Sequence, residues 1–112
     1  MPSSDELYNQ AERLKDEGKL AEAVATLEDL LKQEETHVLA HAALGVLLGK
    51  LGRHTEAVEH AKRVCQLEPN DAFNFAAASV IYQRAFAGTQ NHQYIHLAEE
   101  AMARSRMIQS GM

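Results

Sequence analysis

The sequence predicts an all-α fold of stacked helix-turn-helix repeats, and three observations carry that expectation. The chain matches itself at one fixed offset: Gly18-Lys19-Leu20-Ala21-Glu22-Ala23-Val24 lies 34 residues before Gly52-Arg53-His54-Thr55-Glu56-Ala57-Val58, with Gly, a base, Glu, Ala and Val in step. The match continues outward, pairing Ala11 with Gly45, Leu14 with Leu48 and Leu30 with Val64. A fixed period of this length marks a stack of supersecondary units that bury their faces on one another. Second, residues that end or start helices fall at the period boundaries, as with Gly18, Gly52 and Pro69-Asn70-Asp71. Third, Ala11, Gly45 and Ser79 keep one position small in every unit, where two helices of a hairpin must approach closely.

Six helices are expected, near 4–17, 20–33, 37–51, 54–67, 71–87 and 91–109. Ser3 and Glu6 are spaced for a capping box that starts the first. Gly18 closes it, because positive φ carries little penalty at Gly. Glu22 opens the second helix, where an acid favours the macrodipole, and Ala23 packs back onto the first. Gly52, Glu56 and Ala57 repeat that arrangement between the third and fourth helices. Pro69 stops the fourth, and Asp71 offers a cap to the fifth. Leu14 to Ala23 and Leu48 to Ala57 are nine residues apart, whereas Tyr82 to Ala98 is sixteen. The third unit is therefore expected to hold about seven extra residues around a Gly88-Thr89-Gln90-Asn91 turn. The sixth helix has an inward stripe of Tyr94, Leu97, Ala98, Ala101, Met102, Ser105 and Ile108, and a polar outer face that would cap the stack.

Composition narrows the function. A chain of 112 residues suits one domain. A formal net charge of −5 argues against nucleic-acid binding, which needs a basic stripe facing phosphates. The single cysteine, Cys65, supports neither a disulfide nor a multi-thiolate metal site and reads as a small core residue. No stretch is long and apolar enough to span a membrane, and residues 1–6 lack the basic and apolar regions of a secretory signal, so the cytoplasm is the expected location.

The residues at the repeat positions resemble the tetratricopeptide-repeat (TPR) family. The second unit reads His41, Leu44-Gly45, Leu48, Ala57, Ala61 and Pro69; the first reads Leu7, Gln10-Ala11, Leu14, Ala23 and Leu27; the third reads Phe75, Ala78-Ser79, Tyr82, Ala98 and Met102. Gln10 and His41 stand where the family usually has apolar residues. The resemblance implies one domain over 4–109, with repeats at about 4–37, 38–71 and 72–109, wound as a short right-handed superhelix. It also implies a concave groove lined by the first helix of each pair. The groove positions are Asp5, Tyr8, Glu12, Lys15 and Asp16, then Leu39, Ala42, Val46 and Lys50, then Phe73, Ala76, Val80, Gln83 and Arg84. A TPR subclass that clamps peptide carboxylates needs Lys, Asn and Arg at positions held here by Tyr8, Glu12, Ala43, Phe73 and Ala77, so that activity is not expected.

What remains is an apolar floor, which on a soluble protein usually marks a contact surface. The expected function is a non-catalytic adaptor holding a peptide or amphipathic helix on Tyr8, Leu39, Ala42, Val46, Phe73, Ala76 and Val80, with Lys50 and Arg84 as polar partners. The alternative is homodimerisation through the groove or the last helix. His37 with His41, and His92 with His96, have the i, i+4 spacing of metal ligands, but no His-Glu-x-x-His or third motif accompanies them and they read as helix-surface residues. No phosphate loop, nucleophile elbow or carboxylate dyad appears, so neither an enzyme nor a cofactor is expected.

Overall fold

In the computed structural model, which describes residues 1–111, six helices follow in order: α1 (Ser4–Asp16), α2 (Leu20–Gln33), α3 (Val38–Lys50), α4 (His54–Leu67), α5 (Ala72–Thr89) and α6 (Gln93–Ser110). There is no strand among the described residues. The helices pair as three hairpins, α1 with α2, α3 with α4 and α5 with α6. Successive hairpins are joined mainly through α2 on α3 and α4 on α5, while α3 and α5 touch only lightly.

The sequence repeat becomes a backbone repeat. Gly18 and Gly52 sit at φ +79° and +78°, and the residues that follow, Lys19 and Arg53, have φ −88° with ψ 67° and 66°. In both turns the amide after the glycine donates to the carbonyl five residues back, Lys19 to Leu14 and Arg53 to Leu48, at 2.8 Å. Capping is as expected. Ser3 Oγ accepts from the Glu6 amide, Glu6 returns to the Ser3 amide, and Asp71 Oδ1 accepts from the amides of Phe73 and Asn74. We expect Asp71→Ala to lower stability by about 1 kcal/mol in urea denaturation, since two amides of the first turn lose their acceptor.

The third hairpin has the long helices expected, but its turn falls later than the expected Gly88-Thr89-Gln90-Asn91. Its seven extra residues do not enlarge the turn, which runs from Gln90 to His92 and is as short as the other two. They lengthen the helices, so α5 and α6 are 18 residues each against 13 for α3 and 14 for α4. Gly88 and Thr89 belong to α5. A Cβ at Gly88 would run into the imidazole of His54 at the start of α4, so this glycine makes room for a neighbouring side chain and does not turn the chain. The left-handed position belongs to Gln90, φ 61°. A non-glycine residue there costs on the order of 1 kcal/mol, so Gln90→Gly is expected to raise the melting temperature by a few degrees, read by circular dichroism.

One continuous core runs through all three hairpins. Leu27, Leu30, Leu44 and Leu48 are its largest fully buried side chains, joined by Leu7, Val24, Val58, Ile81 and Tyr82. Alanines at 11, 23, 40, 57, 61, 78, 85, 98 and 101 fill the close helix contacts. Gly45 meets the backbone of Ala57 and Ala61 across its own hairpin and Ile81 of the next unit, so it is a close-approach site in two directions. His41 is 95% buried with both ring nitrogens hydrogen-bonded, which is how a histidine occupies a usually apolar position.

Cys65 is half-buried, its Sγ 3.7 Å from the carbonyl of Asn74. Burial, helped by the charge of Asp71, pushes its thiol up from 9.0 to about 11. The thiolate fraction near neutral pH is then down by roughly two orders of magnitude. Iodoacetamide at pH 7.5 should label Cys65 about a hundredfold more slowly in the folded chain than in the chain unfolded by urea.

Candidate functional site

The groove faces of α3 and α5 are two copies of one pattern. Leu39, Ala42, Val46 and Lys50 on α3 reappear one period later as Phe73, Ala76, Val80 and Arg84 on α5. The spacing of three, four and four residues keeps each set on a single stripe. The opposite faces of the same helices are core, with Ala40, Leu44, Leu47 and Leu48 on α3 and Ala78, Ile81, Tyr82 and Ala85 on α5. Burying one face fixes the rotation and leaves the groove stripe outward. Leu39, Val46, Phe73 and Val80 are accordingly exposed, Phe73 most of all at 77%.

Between α3 and α5 these stripes enclose a cleft of about 490 Å³. Ala42 and Val46 line it from α3, and Phe73, Ala76, Val80 and Arg84 from α5. Ala61 and Val64 of α4 also line it, with Ala77, Ala78 and Ile81 of α5. The small side chains at 42, 61, 76 and 77 keep it open. Six of the nine residues expected from sequence therefore meet around one cavity. The other three, Tyr8, Leu39 and Lys50, do not line it. Ala61, Val64, Ala77 and Ile81 were outside the sequence-based set. Ala61 and Val64 lie on a second helix of a hairpin, and only the gap between two hairpins brings such residues to the groove.

Charge at the cleft is simple. Arg84 is its one charged lining residue. Most basic residues elsewhere are paired: Lys15 with Glu12, Lys19 with Glu17, Lys32 with Asp29, Arg53 with Glu56, Lys62 with Glu59 and Arg63 with Glu35. Among the described residues neither Arg84 nor Lys50 has an ion-pair partner.

Toward α1 the groove changes character. Tyr8, Glu12 and Asp16 occupy the positions that Ala42, Val46 and Lys50 hold one period later. The Tyr8 ring, standing where the next unit has Ala42, stacks on His37 with centroids 5.7 Å apart. Burial first, and then the neighbouring Glu12 carboxylate, raise the Tyr8 phenol above its ordinary value. His37 is itself the cap of α3, its Nδ1 accepting from the Ala40 amide at 3.1 Å. A second cavity, between α5 and α6, is lined by Gln83, Phe86, Ile95, Ala98, Glu99, Met102 and Arg106 and is more polar. His92 lies against Phe86, ring centroids 5.4 Å apart.

Residues 39–71 match the profile of the tetratricopeptide repeat family, which is the second of the three units. No curated protein is similar enough to match the chain. Solved structures share the fold. One is YrrB, described as a TPR protein with an unusual peptide-binding site, with 21% identity and a TM-score of 0.65 over 90% of this chain and 57% of that one. This chain thus spans little more than half the length of YrrB. Another is a MamA double mutant (RS-1 ArsTM), with 17% identity and a TM-score of 0.62 over 96% of this chain and 76% of that one.

Proposed function

We propose that this chain, which carries a tetratricopeptide repeat at residues 39–71 within a TPR fold of three hairpins, is a non-catalytic protein-interaction module acting as one domain over residues 4–109. In this reading the occupant of the α3–α5 cleft is an apolar peptide segment or the apolar face of a helix, with a carboxylate beside its anchoring side chains.

The observation that carries it is the cleft itself. It is a cavity of about 490 Å³ whose only charged lining residue among the described residues, Arg84, has no ion-pair partner among them. An apolar wall gives binding energy through burial at roughly 25 cal/mol per Å². A lone guanidinium at the rim selects for an acid, because an opposite charge there gains a charge-assisted hydrogen bond while a base is repelled. Lys50, on the same stripe of α3 and without an ion-pair partner among the described residues, extends that preference along the groove. The solved TPR structure described as having a peptide-binding site shares the fold and supports peptide recognition in general.

The test uses a fluorescent library of apolar peptides in acidic, neutral and basic versions, titrated by anisotropy. Acidic peptides should bind most tightly, and Arg84→Gln should weaken them by about tenfold while leaving the neutral ones nearly unchanged. Equal affinity for all three versions would remove the charge part of the reading. Light scattering over a concentration series addresses homodimerisation: a dimer that disappears in Val46→Glu/Val80→Glu would mean that a second copy fills the cleft.

A further inference from the structure

Beneath the groove helix, on the side of α3 away from the cleft, lies a polar network that the peptide-binding reading does not use. His41 of α3 and His60 of α4 face each other with their Nδ1 atoms 2.9 Å apart. The Nε2 of His41 is 2.7 Å from the main-chain carbonyl of Glu35, in the turn between α2 and α3, and 3.3 Å from the Glu35 carboxylate. Arg63 of α4 grips that carboxylate with two contacts of 2.7 Å. One cluster thus ties the end of the first hairpin to both helices of the second.

Proton counting fixes how this cluster is wired. A carbonyl oxygen only accepts, so His41 Nε2 carries a hydrogen. Two ring nitrogens at 2.9 Å hold one hydrogen between them. In the neutral pair His41 is then the Nε2–H tautomer, and His60 Nδ1–H donates to the bare Nδ1 of His41. A first proton can be added at His60 Nε2, which has no hydrogen-bond partner among the described residues. The bridge survives, because one hydrogen still lies between the rings. A second proton has no vacant nitrogen except the acceptor of the bridge. It would place two N–H groups and two positive charges face to face at 2.9 Å, inside a site where His41 is nearly completely buried.

We propose that His41 and His60 form a proton-sharing pair that tolerates one added proton and breaks on the second, making the junction of α2, α3 and α4 an acid-sensitive latch. The charged groups facing the pair are Glu35 from the α2–α3 turn and Glu56, Glu59 and Arg63 from α4. Glu56 is drawn toward Arg53, and Glu35 toward Arg63, so both carboxylates already have a cation. Loss of the latch frees the end of α3 that carries Leu39 and Ala42, whatever the groove holds.

Burial, and then the neighbouring His41, hold the His60 imidazole below its ordinary value of 6.5. The unfolded chain therefore takes up protons at higher pH than the folded one. Stability contributed by this group is complete above about pH 6.5, falls as pH drops through that value, and stops falling only below the depressed folded value.

The test is nitrogen-15 NMR of the histidine rings in the intact chain, paired with urea denaturation across pH 7.5 to 4.5. At pH 7.5, His41 should be the Nε2–H tautomer and His60 the Nδ1–H tautomer. As pH falls, the folding equilibrium constant should drop by up to roughly tenfold per pH unit for each additional proton bound by the unfolded chain. His60→Gln, which keeps a donor near His41, should flatten that slope, so that stability falls less between pH 7.5 and 5 than in the wild type. His41→Leu, with the usual apolar residue at this position, provides a second variant should the first not fold, and should also flatten it. Opposite tautomers, or a slope that neither variant changes, would overturn the proposal.

Discussion

Leu44→Ala is expected to cost about 2–5 kcal/mol of folding free energy, the range for a leucine deleted from a packed interior. Leu44 is fully buried at the centre of the core that joins all three hairpins. It lies on α3, which packs on α4 within its own hairpin and on α2 of the hairpin before. The lost side chain would remove apolar contacts and leave a cavity that helices fixed on two sides cannot collapse to fill. Domains of this size hold only about 5–15 kcal/mol in total, so the variant should unfold at a much lower urea concentration with an unchanged slope. A loss below 1 kcal/mol would mean that the second hairpin does not carry the core as described. Leu39→Ala on the same helix is the internal control: Leu39 is 59% exposed and its truncation should change stability by less than about 0.5 kcal/mol.

The second large effect is on binding. Val46→Glu/Val80→Glu should abolish capture of an acidic apolar peptide, weakening it by about a hundredfold or more. Both valines line the cleft and both are exposed, so carboxylates there remain hydrated in the free protein and folding is little disturbed. In the complex the same carboxylates would be stripped of water against apolar side chains and set beside a ligand of like charge, at a cost of several kcal/mol, and each 1.4 kcal/mol is tenfold in affinity. Phe73→Ala should act through lost contact alone, weakening binding about tenfold or more if the ring is an anchor. Leu39→Glu separates the cleft from the wider groove. It adds the same charge on the same stripe of α3 but outside the cavity, so it should weaken binding only slightly. If Leu39→Glu proved as damaging as the valine pair, the ligand would extend over the first hairpin as well. If the valine variant bound like wild type while keeping its helicity, the site would lie elsewhere, with the cavity between α5 and α6 as the next place to probe.

Much of this was legible in the sequence because a repeat protein states its fold locally. The 34-residue offset, the glycines at 18 and 52, the capping box at Ser3 and Glu6 and the cap at Asp71 all act within a few residues of where they stand. Backbone sterics and nearby hydrogen bonds decide them, so helix existence and order followed without tertiary knowledge. The groove stripes were legible for a related reason: a helix that buries one face must expose the other, and the repeat gives that face twice.

Other features could only come from residues distant in the chain. Gly88 reads as a turn residue by type, yet it lies inside α5, where His54, 34 residues earlier, occupies the space a side chain would need. His41 reads as an exception to an apolar position until His60 and the Glu35 carbonyl are seen to satisfy both its nitrogens. The cleft was visible as a list of outward side chains but not as a cavity, since its floor of Ala61 and Val64 belongs to α4 and its width depends on how far α3 and α5 stand apart. By itself the sequence determined six helices, their pairing in hairpins and the faces that stay outward, because those follow from period, propensity and caps. Only the tertiary structure decided which outward residues surround one cavity, which histidines share a proton and which glycine makes way for a neighbour, because each depends on distances between helices that local sequence does not encode.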